Sequence, residues 1–319
     1  MRDYILDSAV CLHRNFLDLP FDASEHEETA HRVNDRVSGV LEQCGDSFSY
    51  LPIASLQEDK RTALQQRRLL SADAGDASFS VAYLRMDEKL CVEAAGEDHL
   101  IIAAYDEGEA LNSCLLRCKD TMRYMEDAGK LAWDERLGYL TARPCDVGTA
   151  MRASVLLHLP MTALVKQIPA AMKVAAACGM SLRSVAQGFC VLENRITLGQ
   201  DEETLLSKLA EAAKKLCTLE RSLRWRAKER KDIAVADKAW RAYAIGRFAL
   251  RVGINEALQL WSGLTLGLSS MEMPYREETL DRLWQAILVS QEDLSKESNL
   301  HPDIERARRI RALLNHGGD

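Results

Sequence analysis

The 319-residue sequence lacks an uncharged apolar run of the roughly 18 residues that a membrane span needs. The stretch 257–271 carries no charge, but Gln, Ser, Thr and Gly dilute it. No secretory leader is expected in the opening MRDYILDSAV, which has acids where a leader keeps an apolar run. There is no cysteine framework: nine cysteines, an odd number, are scattered along a long chain and are expected as reduced thiols of a cytoplasmic protein. Nor is there an excess of positive charge. The 41 Lys and Arg against 48 Asp and Glu give −7, which disfavours nucleic acid and anionic membranes as partners. No internal repeat or low-complexity tract stands out. With 47% hydrophobic and 28% charged residues, the chain is long enough to bury one large core or two ordinary ones. A secreted disulfide scaffold, a membrane protein and a long disordered chain are thereby excluded.

The first two thirds mix short strands with helices. Residues 78–84 (SFSVAYL), 89–93 (KLCVE) and 99–104 (HLIIAA) are rich in Val, Ile, Tyr or Leu, are broken by turns, and read as neighbouring strands. Residues 109–126 carry Leu111, Leu115, Cys118, Met122 and Met125 at three- and four-residue spacing, which predicts an amphipathic helix. Another short strand is expected at 138–141, a further apolar element at 153–159 closed by Pro160, and a helix over 201–223. Strands in succession followed by helices predict an α+β fold, an antiparallel sheet flanked by helices. From 220–232 (ERSLRWRAKERKD) onward everything reads as helix. Ala236, Trp240, Ala244 and Phe248 share one face; Leu280, Leu283, Trp284, Ile287 and Leu288 share another. A last helix is expected from Pro302, with Ile304, Ala307, Ile310 and Leu314 inward. These changes place a boundary between a domain over 1–228 and an all-helical domain over 229–319. The composition changes near 225–235, and four of the five tryptophans lie at or beyond that stretch, where a packed helical core accounts for them.

Several patterns carry little. His26 and His31 are five residues apart, so on a helix they point about 140° apart and cannot share a metal. Cys114 and Cys118 do share a face, but two ligands are not a metal site. Gly263 and Gly267 form a GxxxG, which says little outside a membrane. The basic stretch 214–231 is interrupted by Glu220 and Glu229, as in a salt-bridged helix face. No P-loop and no GxGxxG is present, so phosphates, if bound, need another cradle.

The informative segment is 138–160, GYLTARPCDVGTAMRASVLLHLP: a strand, a Pro-containing turn, a Gly-Thr pair, then Arg152 entering an apolar run. It resembles the ATP:guanidino phosphotransferases (creatine and arginine kinases), and among them the bacterial protein arginine kinases. Further matches are spread along the chain. Glu97-Asp98-His99-Leu100 resembles the family's Asn-Glu-Glu-Asp-His-Leu-Arg run, and Arg14-Asn15 the end of Ser-Ser-Arg-Val-Arg-Leu-Ala-Arg-Asn. Residues 194–199 (NRITLG) resemble the strand after the substrate loop, and 302–314 the end of the bacterial enzymes' helical domain. The resemblance implies a phosphotransferase-like domain followed by a helical dimerisation and regulatory domain. It implies ATP with Mg²⁺, phosphates held by a cage of arginines, a carboxylate that orients the acceptor guanidinium, and a cysteine thiolate beside it.

Position by position, much of that machinery is replaced. Ala9 and Cys11 stand at two of the phosphate arginines and Ile101 at a third; Arg152 and Arg183 match the remaining two, and Arg14 is a further phosphate candidate. Arg143 stands where the family has the cysteine before Pro-Thr-Asn, and Cys145 does not occupy that place. Only ten residues separate Arg183 from Asn194, too few for the family's Glu- and Gly-containing loop. Glu97 matches the guanidinium-binding carboxylate, with Asp98 beside it as a second catalytic candidate, whereas His99 reads as structural. Charge-assisted hydrogen bonds are worth about 1.5–3 kcal/mol each, so three lost arginines forfeit about 4–9 kcal/mol. That corresponds to a rate deficit on the order of 10³–10⁶. The sequence therefore reads as a pseudokinase, a protein-binding or regulatory subunit. An active protein arginine kinase with a rebuilt site (Arg14, Arg68, Arg85 or Arg117 taking the phosphates) is one alternative. A structural oligomer partner without ligand is another. By resemblance the partners would be a true arginine kinase, its zinc-binding activator or the Clp unfoldase system, in a homo- or heterodimer. Arg308 and Arg309, in a segment that only partly matches the family's Arg-Asp-x-x-Arg-Ala, are candidate phosphoarginine contacts.

Overall fold

The computed structural model describes residues 4–72, 74, 78–288 and 301–316. Ten strands are described: β1 (Ile5–Arg14), β2 (Phe48–Pro52), β3 (Val81–Arg85), β4 (Leu90–Ala94), β5 (Leu100–Glu107), β6 (Trp133–Asp134), β7 (Gly138–Tyr139), β8 (Met151–His158), β9 (Met180–Ala186) and β10 (Phe189–Asn194). The helices are α1 (Glu27–Leu41), α2 (Glu58–Gln66), α3 (Leu111–Ala128), α4 (Pro160–Leu164), α5 (Ile168–Ala177), α6 (Glu202–Glu229), α7 (Ile233–Phe248), α8 (Ile254–Ser270), α9 (Glu277–Leu288) and α10 (Pro302–His316). Eight strands form one sheet in the order β2-β3-β4-β5-β1-β8-β10-β9. This is an α+β fold with an antiparallel sheet, as the succession of strands predicts.

β1 lies between β5 and β8, antiparallel to both. Its residues alternate between two covered faces. On one face, Cys114 and Cys118 of α3 donate their thiols to Ser8 O and Val10 O, and the predicted apolar face of α3 is buried there. On the other face, Cys11 sits opposite Ala103 of β5 and Arg152 of β8. Ile53, Leu64, Leu69 and Leu70 cover the neighbouring strands on that side. The strand expected at 138–141 is shorter: β7 pairs with β6 in a hairpin outside the main sheet and makes one further bridge, from Tyr139 to Gly148.

The chain divides into two compact units, 1–157 with 174–182 and 191–214, and 158–173 with 183–190 and 215–319. α6 ends at Glu229, next to the composition change near 228, while the division between units falls within that helix. In the second unit α7 lies close to α8. A Cβ added at Gly263 would come within 2.8 Å of Ala242 Cβ, and one at Gly267 within 2.8 Å of Ala239 Cβ. The GxxxG is thus a close-approach site in this chain after all. Small residues must fill this contact, so α7 buries Val235, Ala239, Ala242 and Gly246. The face expected inside turns out: Trp240 is 48% and Phe248 73% exposed. Trp225 is exposed as well, and Trp261 and Trp284 form the aromatic core with His158 and Phe189. α9 buries Leu280, Leu283 and Ile287 as its period predicts; the side chain of Leu288 lies outside the described residues. α10 starts at Pro302 and buries Ala307, Ile310 and Leu314, with Ile304 half-buried. Among the described residues no helix is long and apolar enough to cross a membrane.

Candidate functional site

The turn between β4 and β5 presents one carboxylate and buries the next. Ala95 adopts a left-handed backbone (φ 61°) and donates its N–H to His99 O at 3.0 Å, closing a tight loop with Glu97 at its tip. Asp98 points inward. It accepts hydrogen bonds from Asn15 Nδ2 (2.7 Å) and the Ala142 N–H (2.8 Å), and meets His13 Nδ1 at 3.0 Å. Burial opposes its charge, but the contacts with His13, Ala142 and Asn15 outweigh it and hold the carboxyl below its ordinary range. Asp98, expected as a second catalytic carboxylate beside Glu97, is buried and ties three segments together. His99 is fully buried, accepts from the Phe16 N–H at Nδ1 and donates from Nε2 to Pro20 O; burial pushes its pKa down. Glu97 alone faces outward.

Opposite it lies the turn 141–149, whose backbone is held from several sides. The Ala142 N–H is fixed by Asp98, Thr141 Oγ1 donates to Arg143 O at 2.7 Å, and the Asp146 N–H donates to the same oxygen at 3.0 Å. Thr197 Oγ1 reaches Val147 O at 2.8 Å and Cys145 O at 3.2 Å. Gly148, at φ 122°, passes so near that a Cβ there would lie 2.4 Å from Thr197 O. No other residue type fits. Thus oriented, Arg143 places Nε 2.5 Å from Glu97 Oε2. Three residues on, buried Asp146 forks onto Arg152, with Oδ1 3.0 Å from Nε and Oδ2 2.8 Å from Nη2. This bidentate contact raises the pKa of Arg152. The sequence reading missed Asp146. Its signal was present, because Pro144-Cys145-Asp146 puts an acid where the resembled Pro-Thr-Asn run ends in an amide.

Around Arg152 the sheet offers no further cation from the replaced positions. Ala9 and Ile101 are buried, and the Cys11 thiol donates to Arg68 O, with burial pushing its pKa up to about 11. The four arginines considered as substitutes are engaged elsewhere. Arg14 is only 2% exposed, donates to His13 O (2.7 Å) and Thr149 O (3.2 Å), and stacks on Tyr139. Its guanidinium is thus enclosed and turned to backbone carbonyls and an aromatic ring. Arg68 pairs with Asp7, Arg85 with Asp87 (2.8 Å), and Arg117 with Asp106 (2.6 Å). Arg183 is exposed on β9 and belongs to the other unit. In that unit Arg308 and Arg309 both lie against Glu305, at 3.4 and 3.3 Å. Among the described residues no group of three or more His, Cys, Asp or Glu is arranged to hold a metal ion. The residues at the sheet do not fit a nucleoside triphosphate: three replaced positions supply no charge, and Arg152 already holds a carboxylate.

The sequence model of the ATP:guanido phosphotransferase C-terminal catalytic domain matches residues 30–223. A protein-arginine kinase of an Exiguobacterium species is 30% identical over 99% of this chain and 94% of its own length. One from Caldanaerobacter subterraneus is 27% identical over 98% of both. Among solved structures, a lombricine kinase shares the fold with a TM-score of 0.59 at 18% identity, covering 70% of this chain and 68% of its own. The substrate-free duplicated taurocyamine kinase of Schistosoma mansoni gives 0.57 at 22% identity, over 68% of this chain and 33% of that one. With its catalytic-domain match, its full-length relatives and its antiparallel sheet, the chain belongs to the ATP:guanido phosphotransferase family.

Proposed function

We propose that this chain is a protein-arginine-kinase-like pseudokinase, a scaffold that no longer transfers phosphate and acts by binding proteins in a cytoplasmic dimer. The family is one of ATP-dependent kinases, and its chemistry is mainly positioning and neutralisation of phosphoryl oxygens by cations. The observation that carries the reading is the Asp146–Arg152 pair. A buried carboxylate forked onto the retained phosphate arginine repels an incoming phosphate and occupies its donors. Arg14, Arg68, Arg85 and Arg117 are committed to other partners, which speaks against an active site rebuilt from them. A binding role draws support from α7, where Ile233 (81% exposed), Trp240 and Phe248 form an apolar outer face. Asp237 and Arg241, paired at 2.7 Å, flank Trp240 there. A second copy laid antiparallel about a two-fold axis would set these opposite charges against each other.

Calorimetric titration with ATP and Mg²⁺, followed by detection of phosphoarginine on an arginine-rich protein substrate, tests the proposal. No transfer above background and an ATP Kd weaker than about 1 mM, some 4 kcal/mol of binding or less, are expected. Transfer that disappears on Glu97→Ala would overturn the reading.

A further inference from the structure

We infer that the turn 143–146 is a built-in double plug. Arg143 is a tethered guanidinium ligand of Glu97, and Asp146 a tethered anion on Arg152. The inference deepens the pseudokinase reading and rests on it.

The two pairs have opposite polarity and originate three residues apart, on one short turn. One contributes the cation to an acidic subsite, the other the anion to a basic subsite. Each occupant resembles the group its subsite would otherwise take: a guanidinium on Glu97, and a planar pair of oxygens on the Arg152 fork. The turn is held in place by Asp98 on the Ala142 N–H and by Thr197 on Cys145 O and Val147 O, so both side chains are delivered without a search. A ligand attached through a short flexible linker already acts at an effective concentration in the millimolar range. A turn fixed at both ends should exceed that, and free guanidinium or phosphate at lower concentration cannot displace it. The Arg143–Glu97 pair is nevertheless half-exposed, at 43% and 37%, so the subsite is open to solvent once its occupant is removed.

The test uses the full chain and two probes, arginine amide for the Glu97 side and inorganic phosphate for the Arg152 side, with binding followed by NMR titration. Arg143→Ala is expected to tighten arginine amide binding at least tenfold over the parent, and adding Glu97→Gln should abolish the gain. Arg143→Met, which keeps the aliphatic stem, should give the same gain. Asp146→Asn is expected to tighten phosphate binding at least tenfold, and Arg152→Ala to reverse it. If both Arg143 variants keep the parent's melting temperature and bind arginine amide no better than the parent, the plug is rejected. If Asp146→Asn gains no phosphate affinity, its Arg152 half is rejected. Phosphotransfer by the parent protein is a separate readout: its detection would remove the pseudokinase reading, whereas its absence beside an unaltered Arg143→Ala removes the plug alone.

Discussion

Asp98 joins three parts of the first unit through one carboxylate: β1 through His13 and Asn15, its own turn, and the backbone at Ala142. Removing it leaves one N–H of the buried Asn15 amide and the half-buried Ala142 N–H without their acceptor, while Asn15 Nδ2 keeps its bond to Leu140 O. Each unsatisfied buried donor costs about 1–3 kcal/mol, so Asp98→Ala should lower unfolding stability by roughly 2–5 kcal/mol in urea denaturation. Its pH signature follows from a carboxyl held below its ordinary value. The unfolded chain takes up the proton first, so the stability Asp98 contributes is present above about pH 4 and is lost as pH falls through the lower folded value. Asp98→Asn should flatten that acid limb. Neighbouring Glu97 shows what a sequence motif conveys and what it omits. The Glu-Asp-His-Leu run locates the turn, but nothing in it says that Glu97 faces out and Asp98 in, because that choice is made by Asn15 and Ala142, distant along the chain.

At the scale of elements, local period was sufficient where one face had one role. The Leu111, Leu115, Cys118, Met122 and Met125 pattern of α3 is buried as spaced, and β3, β4 and β5 lie where the Val- and Ile-rich runs predict. α7 fails the same logic. Its aromatic stripe has helical spacing, yet the buried face is set by what α8 can approach, and only Ala and Gly allow that contact. Gly267 makes this measurable. An alanine there would meet Ala239 Cβ at 2.8 Å and the Tyr275 hydroxyl at 2.9 Å, and that hydroxyl is fixed by its bond to Leu264 O. Helix propensity favours Ala over Gly by about 1 kcal/mol. Overpacking costs about 1–3 kcal/mol, so Gly267→Ala should come out net destabilising by up to about 2 kcal/mol on thermal or urea unfolding. A gain in stability would mean the helices separate freely. The Arg143–Glu97 pair was illegible for a related reason: the two residues lie far apart in sequence, and only the folded turn brings them together.

For the whole molecule, two buried histidines shape the response to acid. His158 meets Ser262 Oγ at 2.9 Å and lies among Phe189 and Trp261; burial, helped by the charges of Arg224 and Lys238, pushes its pKa well down. His99 is shifted in the same direction. Both stay neutral when folded while the unfolded chain binds protons near its ordinary value of about 6.5. Stability should be full above that pH and decline as pH falls below it towards the folded values. Urea midpoints at pH 7 and pH 5 check this, and His158→Gln should reduce the difference between them; an unchanged difference would argue against it. The fold as a whole was legible because its most informative segment, 138–160, is continuous and holds both Asp146 and Arg152, whereas the Arg143–Glu97 contact joins two motifs that are distant along the chain. The placement of the tryptophans has an optical consequence. Trp261 and Trp284, with ring centroids 4.6 Å apart, are close enough for their excited states to couple. Their near-ultraviolet dichroism should therefore report the melting of the helical unit alone, while iodide quenches the emission of Trp133, Trp225 and Trp240 at the surface.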